Sequence, residues 1–156
     1  MVVRLDTMDR KILAVLQEDA SRSLDDVAAL VGGSRTPVWN RIRKLKAAGV
    51  IRAEVAVLDP EALGLDVCFF VLVRTSAHDA AWLERFMGAL QRRPEVVEAH
   101  RLAGDVDYIL KVRVPNARAY DDFYRGLIAE VPIFNVTSQL SMEEIKSTTA
   151  LPIETP

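Results

Sequence analysis

A chain of 156 residues, half of them apolar and 27% charged, suits one ordinary domain or two small ones with enough apolar surface for a real core. Its opening residues do not resemble a signal peptide and no apolar run approaches the length of a membrane span, so the expected location is the cytoplasm, with no membrane partner. The net charge of −2 conceals a division: residues 1–53 carry ten Lys/Arg against six Asp/Glu, and the remainder ten against sixteen, so only the first part suits a polyanion.

LDTMDRKILAVLQEDA sets Leu5, Met8, Ile12, Leu13 and Leu16 at helical spacing behind a cap at Asp6 or Thr7. SRSLDDVAALVGG follows, with Ser23 and Asp26 in capping-box spacing, an apolar face of Leu24, Val27, Ala28 and Val31, and Gly32-Gly33 as terminator. SRTPVWNRIRKLKAAG begins with Ser34 as a third cap, tolerates Pro37 in its first turn, buries Val38, Ile42 and Leu45, and stops at Gly49. Three short helices, the last two joined by a tight turn, predict a helix-turn-helix over residues 1–52. VIRAEVAVLD then alternates up to Pro60 and predicts a wing or linker strand within 53–65.

Residues 66–156 contain a weak internal repeat. Arg74, Phe86, Leu90 and Pro94 in the first copy correspond to Arg113, Phe123, Leu127 and Pro132 in the second. Two βαβ units in tandem predict a ferredoxin-like βαββαβ domain, and the whole chain is expected as α+β. Each of its helices has one apolar stripe, but VCFFVLV is apolar on both faces: Val67, Phe69, Val71 and Val73 on one, Cys68, Phe70 and Leu72 on the other. The second face needs a cover from outside the domain, and a second copy of the chain supplies one.

From Arg35 to Arg52 there are six cations and no carboxylate. The buried stripe of the third helix leaves Arg35, Thr36, Trp39, Asn40, Arg43 and Lys46 facing outward. That face combines cations for phosphates with side chains that read base edges, while Arg41, Lys44 and Arg52 suit the DNA backbone. A merely solvated basic helix is the plain alternative, and Trp39 equally suits packing against the preceding helix.

For catalysis the inventory is thin. His78, His100 and Cys68 do not form a common zinc motif, and there is no phosphate loop, dinucleotide fingerprint or nucleophile elbow. No cofactor or metal is expected, and Glu143 and Glu144, whose carboxylates suit a hard metal, read rather as a solvated strand end. LAGDVDYIL, between the two repeats, leaves three readings open. Gly104 to Asp107 make a hairpin turn, Asp105 and Asp107 form a metal or acid-base pair, or a carboxylate receives a ligand's ammonium beside turn N–H groups.

With LDTMDRKILAVLQEDA, GGSRTPVWNRIRKLKAAGVI, LAGDVDYILKVRV and SMEEIKSTTALPI in this order, the chain resembles the Lrp/AsnC family of feast/famine transcription regulators over nearly its whole length. The ending is most similar to the leucine-responsive branch. The resemblance implies a regulator of amino-acid metabolism that binds double-stranded DNA, dimers packed through their sheets and assembled further, commonly to octamers, and an amino-acid effector held between dimers. From the third helix and its cap, the expected DNA-binding residues are Ser34, Arg35, Thr36, Trp39, Asn40, Arg41, Arg43 and Lys44. Carried over from the resemblance, the effector-binding residues are Gly104, Asp105, Asp107, Tyr108, Thr137 and Ser138, with a leucine-like amino acid as first candidate. Two departures stand out: Val106 where many relatives carry an aromatic residue, and Gly33 where they usually carry Leu. The alternatives are an assembly-only DNA-binding protein without a ligand, and a metal-dependent enzyme using Asp105 and Asp107.

Overall fold

The cap at Asp6 sets where the first helix begins. Its carboxylate accepts the Asp9 N–H at 2.8 Å while the Asp9 carboxylate accepts the Asp6 N–H at 3.2 Å, so two of the helix's free donors are satisfied reciprocally. In this computed structural model, which describes residues 3–77 and 79–153, α1 (Thr7–Glu18), α2 (Leu24–Val31) and α3 (Arg35–Ala47) follow one another. The Ser23 hydroxyl accepts the Asp26 N–H at 3.1 Å to open α2, and Gly32, left-handed at φ 71°, closes it. Ser34 occupies the cap position of α3 but makes no side-chain capping bond.

Ile12, Leu13, Val27, Ala28, Val31, Val38 and Leu45 are buried together where the three helices meet. Full burial of an Ile or Leu is worth roughly 1.5–3 kcal/mol, so these few side chains hold the unit. Gly33 belongs to this packing: a Cβ there would come within 3.1 Å of Val38 Cγ2, so the turn is drawn tightly against α3.

The linker departs from expectation. Residues 53–65 contain no strand; 52–59 run without regular structure and 60–64 form a turn opened by Asp59, whose carboxylate accepts the Glu61 N–H at 3.0 Å. Alternation alone makes no strand without a ladder partner, and among the described residues this segment has none, which leaves Val57 82% exposed. The end of the chain also departs from its expected domain. By contacts the described chain divides into one unit running up to Val57 together with the residues from Lys146 onward, and a second unit, Leu58–Ile145. The last segment joins the helices because the Gln17 side-chain amide donates to the Leu151 carbonyl and accepts the Leu151 N–H, both at 2.9 Å, while Ile153 packs on the helical core.

The second unit is the expected βαββαβ: β1 (Val67–Arg74), α4 (Ala80–Gln91), β2 (Val96–Arg101), β3 (Tyr108–Val114), α5 (Ala117–Glu130) and β4 (Asn135–Leu140). The sheet is antiparallel in the order β2-β3-β1-β4. Asp79 and Asn116 cap the two helices, each accepting the N–H three residues on at 2.9 Å. Both helices cover one sheet face, where Val71, Val73, Leu110, Val112 and Val114 meet Trp82, Phe86, Phe123 and Leu127. At the ends of the helices, Arg93 donates to the Glu130 carboxylate at 2.8 Å and Arg92 reaches its other oxygen.

The opposite face carries Cys68, Phe70, Leu72 and Ile109 as a central stripe, as the alternation of β1 requires. Around it lie Lys111 paired to Glu98 at 3.2 Å and Arg113 paired to Glu144 at 3.0 Å. Glu144, expected as a merely solvated strand end, is therefore an ion-pair partner of β3.

Candidate functional sites

The six cations from Arg35 to Arg52, five of them on α3, separate into two groups. Arg35 pairs with Asp25 at 2.7 Å, Lys46 with Glu54 at 2.8 Å, and Arg41 bridges Asp6 at 2.6 Å and Asp9 at 2.7 Å. Arg43, Lys44 and Arg52 have no ion-pair partner among the described residues and are exposed. Arg41 thus ties the cap of α1 to α3. The Asp9 backbone N–H and then the Arg41 guanidinium hold the Asp6 carboxyl below its ordinary range, and the two carboxylates raise Arg41 in turn. Of the residues expected to meet DNA, Arg41 is already committed within the protein, whereas the Arg35 pair is fully at the surface and is weakened readily by water and salt.

Trp39 is 45% exposed, and the Arg43 guanidinium carbon sits 4.6 Å from its ring centroid, one helical turn on. Helical spacing puts Thr36, Asn40 and Arg43 together on the side opposite Val38, and all three are exposed. Ser34 lies at the start of the same helix, its hydroxyl free of a capping bond, and Lys44 flanks the outer face one turn beyond Asn40.

The β2–β3 connection is shaped by its backbone. Gly104 sits at φ 150°, a region that L side chains rarely adopt, although nothing would touch a Cβ there. The Asp107 carboxylate accepts the Thr75 N–H at 2.8 Å, its own N–H donates to the Val73 carbonyl at 3.1 Å, and its carbonyl accepts the Leu102 N–H at 2.8 Å. Asp105 is exposed, with no hydrogen-bond or ion-pair partner among the described residues. The two carboxylates are therefore unequal: Asp107 fixes the loop to the end of β1, and Asp105 is open.

The other expected effector residues are not gathered around this loop. Tyr108 turns into the core, its ring centroid 4.9 Å from Phe86 and 5.8 Å from Trp82. Thr137 and Ser138 are neighbours on β4 and so point to opposite faces. Ser138 shares a hydrogen bond with the Tyr120 hydroxyl on the helix side, while Thr137 lies opposite Leu72 on the uncovered side. The residue missed in the sequence is Thr75, only 8% exposed, whose hydroxyl donates to the Ala77 carbonyl and accepts the Ala77 N–H, both at 3.0 Å. Its link to Asp107 spans 32 residues and leaves no local signal.

Among the described residues no group of three or more His, Cys, Asp or Glu is arranged to hold a metal, so Asp105 and Asp107 lack a third ligand. His100 pairs at 3.6 Å with Glu98 on β2, and His78 lies outside the described residues. Cys68 is a buried free thiol, and no described helix is long and apolar enough to cross a membrane.

Residues 5–46 match the model of the AsnC-type helix-turn-helix domain and residues 68–151 that of the Lrp/AsnC ligand binding domain. The chain is 44% identical over 151 residues to the DNA-binding transcriptional activator DecR of Escherichia coli, covering 96% of this chain and 99% of that one. It is 36% identical over 152 residues to the leucine-responsive regulatory protein of Salmonella typhimurium, covering 97% and 93%. The likeness to the leucine-responsive branch is thus present but lower than that to DecR. Among solved structures, an AsnC family transcriptional regulator from Agrobacterium tumefaciens superposes with a TM-score of 0.91 at 49% identity, covering 95% and 97%. An L-Met complex of a transcriptional regulator from Neisseria meningitidis superposes with a TM-score of 0.91 at 31% identity, covering 96% and 97%. With both of its halves matched and these relatives aligned end to end, the chain belongs to the Lrp/AsnC family of DNA-binding transcriptional regulators.

Proposed function

We infer that α3 enters the major groove with Thr36, Asn40 and Arg43 toward base edges and with Ser34, Lys44 and Arg52 toward phosphates. The observation that carries this reading is the division of the α3 cations. Three are occupied by carboxylates, while Arg43 stands unpaired over Trp39 at the centre of the outer face. An Arg in this setting suits the paired acceptors of a guanine, an Asn those of an adenine, and a Thr methyl that of a thymine. Arg35 joins them by exchanging Asp25 for a phosphate.

The sheet unit senses an amino acid, whose ammonium goes to Asp105 while Asp107 holds the loop in shape. The relative from Neisseria meningitidis, described as an L-Met complex, supports an unbranched or leucine-like apolar side chain. Thr137 faces the uncovered side of the sheet, and there it serves a site completed by another subunit. The stripe of Cys68, Phe70, Leu72 and Ile109 is the dimer face, and dimers assemble further, up to octamers. The protein regulates genes of amino-acid metabolism and acts in the cytoplasm as a regulator rather than an enzyme. An effector that favours one assembly shifts the population toward it, and DNA affinity changes by the same coupling free energy.

A titration with the twenty amino acids, read by light scattering and by DNA anisotropy on wild type and Asp105→Asn, tests this reading. Wild type responds to one or a few apolar amino acids and Asp105→Asn does not. An equal response from both removes Asp105 from the site.

A further inference from the structure

An open cleft of about 640 Å³ runs between the start of α1 and α3, and neither the DNA-reading face nor the effector reading accounts for it. Its charge is lopsided. Arg4, Arg10, Arg41 and Lys44 line it against two carboxylates, Asp6 and Asp9. Both carboxylates are already answered by Arg41 and by each other's backbone in the capping box. That leaves Arg4, Arg10 and Lys44 with no ion-pair partner among the described residues, around one concavity.

The cleft is continuous with the outer face of α3, since Asn40 and Lys44 line it and lie one turn apart on that face. At about 30 Å³ per water, it holds on the order of twenty waters, far more space than a single small anion fills. Three unpaired cations, open access and continuity with the α3 face fit an extended polyanion passing along the groove edge. We propose that this cleft seats the phosphate backbone of DNA beside the groove that α3 enters, with Arg4 and Arg10 of the α1 region as contacts additional to those of α3. The proposal rests on the DNA-binding reading of α3 and adds a second surface to it.

The phosphate term can be measured without knowing the operator, because it is the whole of non-specific binding. The full-length protein is titrated with a random-sequence 30-base-pair duplex at several salt concentrations, using wild type, Arg4→Ala, Arg10→Ala, Arg10→Lys, Lys11→Ala and Arg52→Ala. Each lost phosphate contact lowers the slope of log affinity against log salt by about 0.9. Arg4→Ala and Arg10→Ala are each expected to show that loss and Arg10→Lys to restore it, while Lys11→Ala, outside the cleft, keeps the wild-type slope. Thermal melts confirm that each variant folds. Wild-type slopes from both Arg4→Ala and Arg10→Ala, with a lowered slope from Arg52→Ala, overturn the proposal and leave the proposed DNA-binding reading standing. A wild-type slope from Arg52→Ala as well overturns both. Inorganic phosphate that raises the melting temperature of wild type but not of Arg10→Ala, with DNA slopes unchanged, also overturns it, in favour of a small-anion site.

Discussion

The Asp107 carboxylate accepts the backbone N–H of Thr75 at 2.8 Å, joining the β2–β3 connection to the end of β1 across 32 residues of sequence. Thr75 is almost wholly buried, so its N–H has little access to water if the carboxylate is removed. Asp107→Ala is expected to destabilise the sheet unit by about 1–3 kcal/mol, the range for a buried donor left without its partner, and to abolish the effector response through the loop. Asp105→Asn is expected to leave the melting temperature within a degree or so, because the side chain is exposed and without a partner. Thermal melts of the two variants, with and without amino acid, separate the loop's fastening from its ligand contact.

The Arg43 guanidinium lies over the Trp39 ring, which on the proposed reading orients it for a base edge. A stacked cation at an exposed site is worth about 0.5–1 kcal/mol, so Trp39→Ala should weaken specific DNA binding by about 2- to 5-fold. Trp39→Phe retains a ring beneath the guanidinium and should recover part of that loss. Arg43→Ala should relax base preference at one operator position by about 1–3 kcal/mol, read by competition between duplexes that differ at that position.

The paired hydrogen bonds between the Gln17 amide and the Leu151 backbone are exposed, and together they should contribute about 1–2 kcal/mol to docking of the segment from Lys146 onward. Gln17→Ala is expected to speed exchange of the Leu151 amide hydrogen, with little change in the protection of β1 and β3. Unchanged exchange at Leu151 would mean that Ile153 alone holds the segment.

Glu130 gives the sheet unit an acid-sensitive tie. The hydrogen bond from Arg93, and behind it Arg92, holds its carboxyl below the ordinary value of 4.5. Because the folded pKa is the lower one, the stabilisation is complete above about pH 4.5 and is lost as pH falls through the depressed folded value. Glu130→Gln should flatten that acid limb of the stability curve and leave the slope near pH 7 unchanged, as denaturant titrations across pH would show.

What the sequence made legible follows the range of the forces. The caps at Asp6 and Ser23, the left-handed Gly32 and the repeated βαβ pattern are local, and the helices and strands form where those signals lie. Period-two alternation also held information left unread. Tyr108 shares its face with the buried Leu110, Val112 and Val114, which places its ring in the core, and Thr137 and Ser138, being adjacent, face opposite ways. The partners of Arg41 and Asp107 lie more than thirty residues away in sequence and have no local signature. The linker at 53–65 alternates as a strand should, but a strand forms only where its backbone finds a ladder.

The attachment of the segment from Lys146 onward to α1 makes the helical unit discontinuous, with the whole sheet unit inserted between its two pieces. During synthesis α1, α2 and α3 leave the ribosome before the sheet unit, yet Ile153 and the Leu151 backbone that complete their packing emerge only after it. The reading head of this regulator therefore reaches its finished form only after its sensor has been made, and a fragment ending at Val57 would be an unfinished head rather than an isolated one.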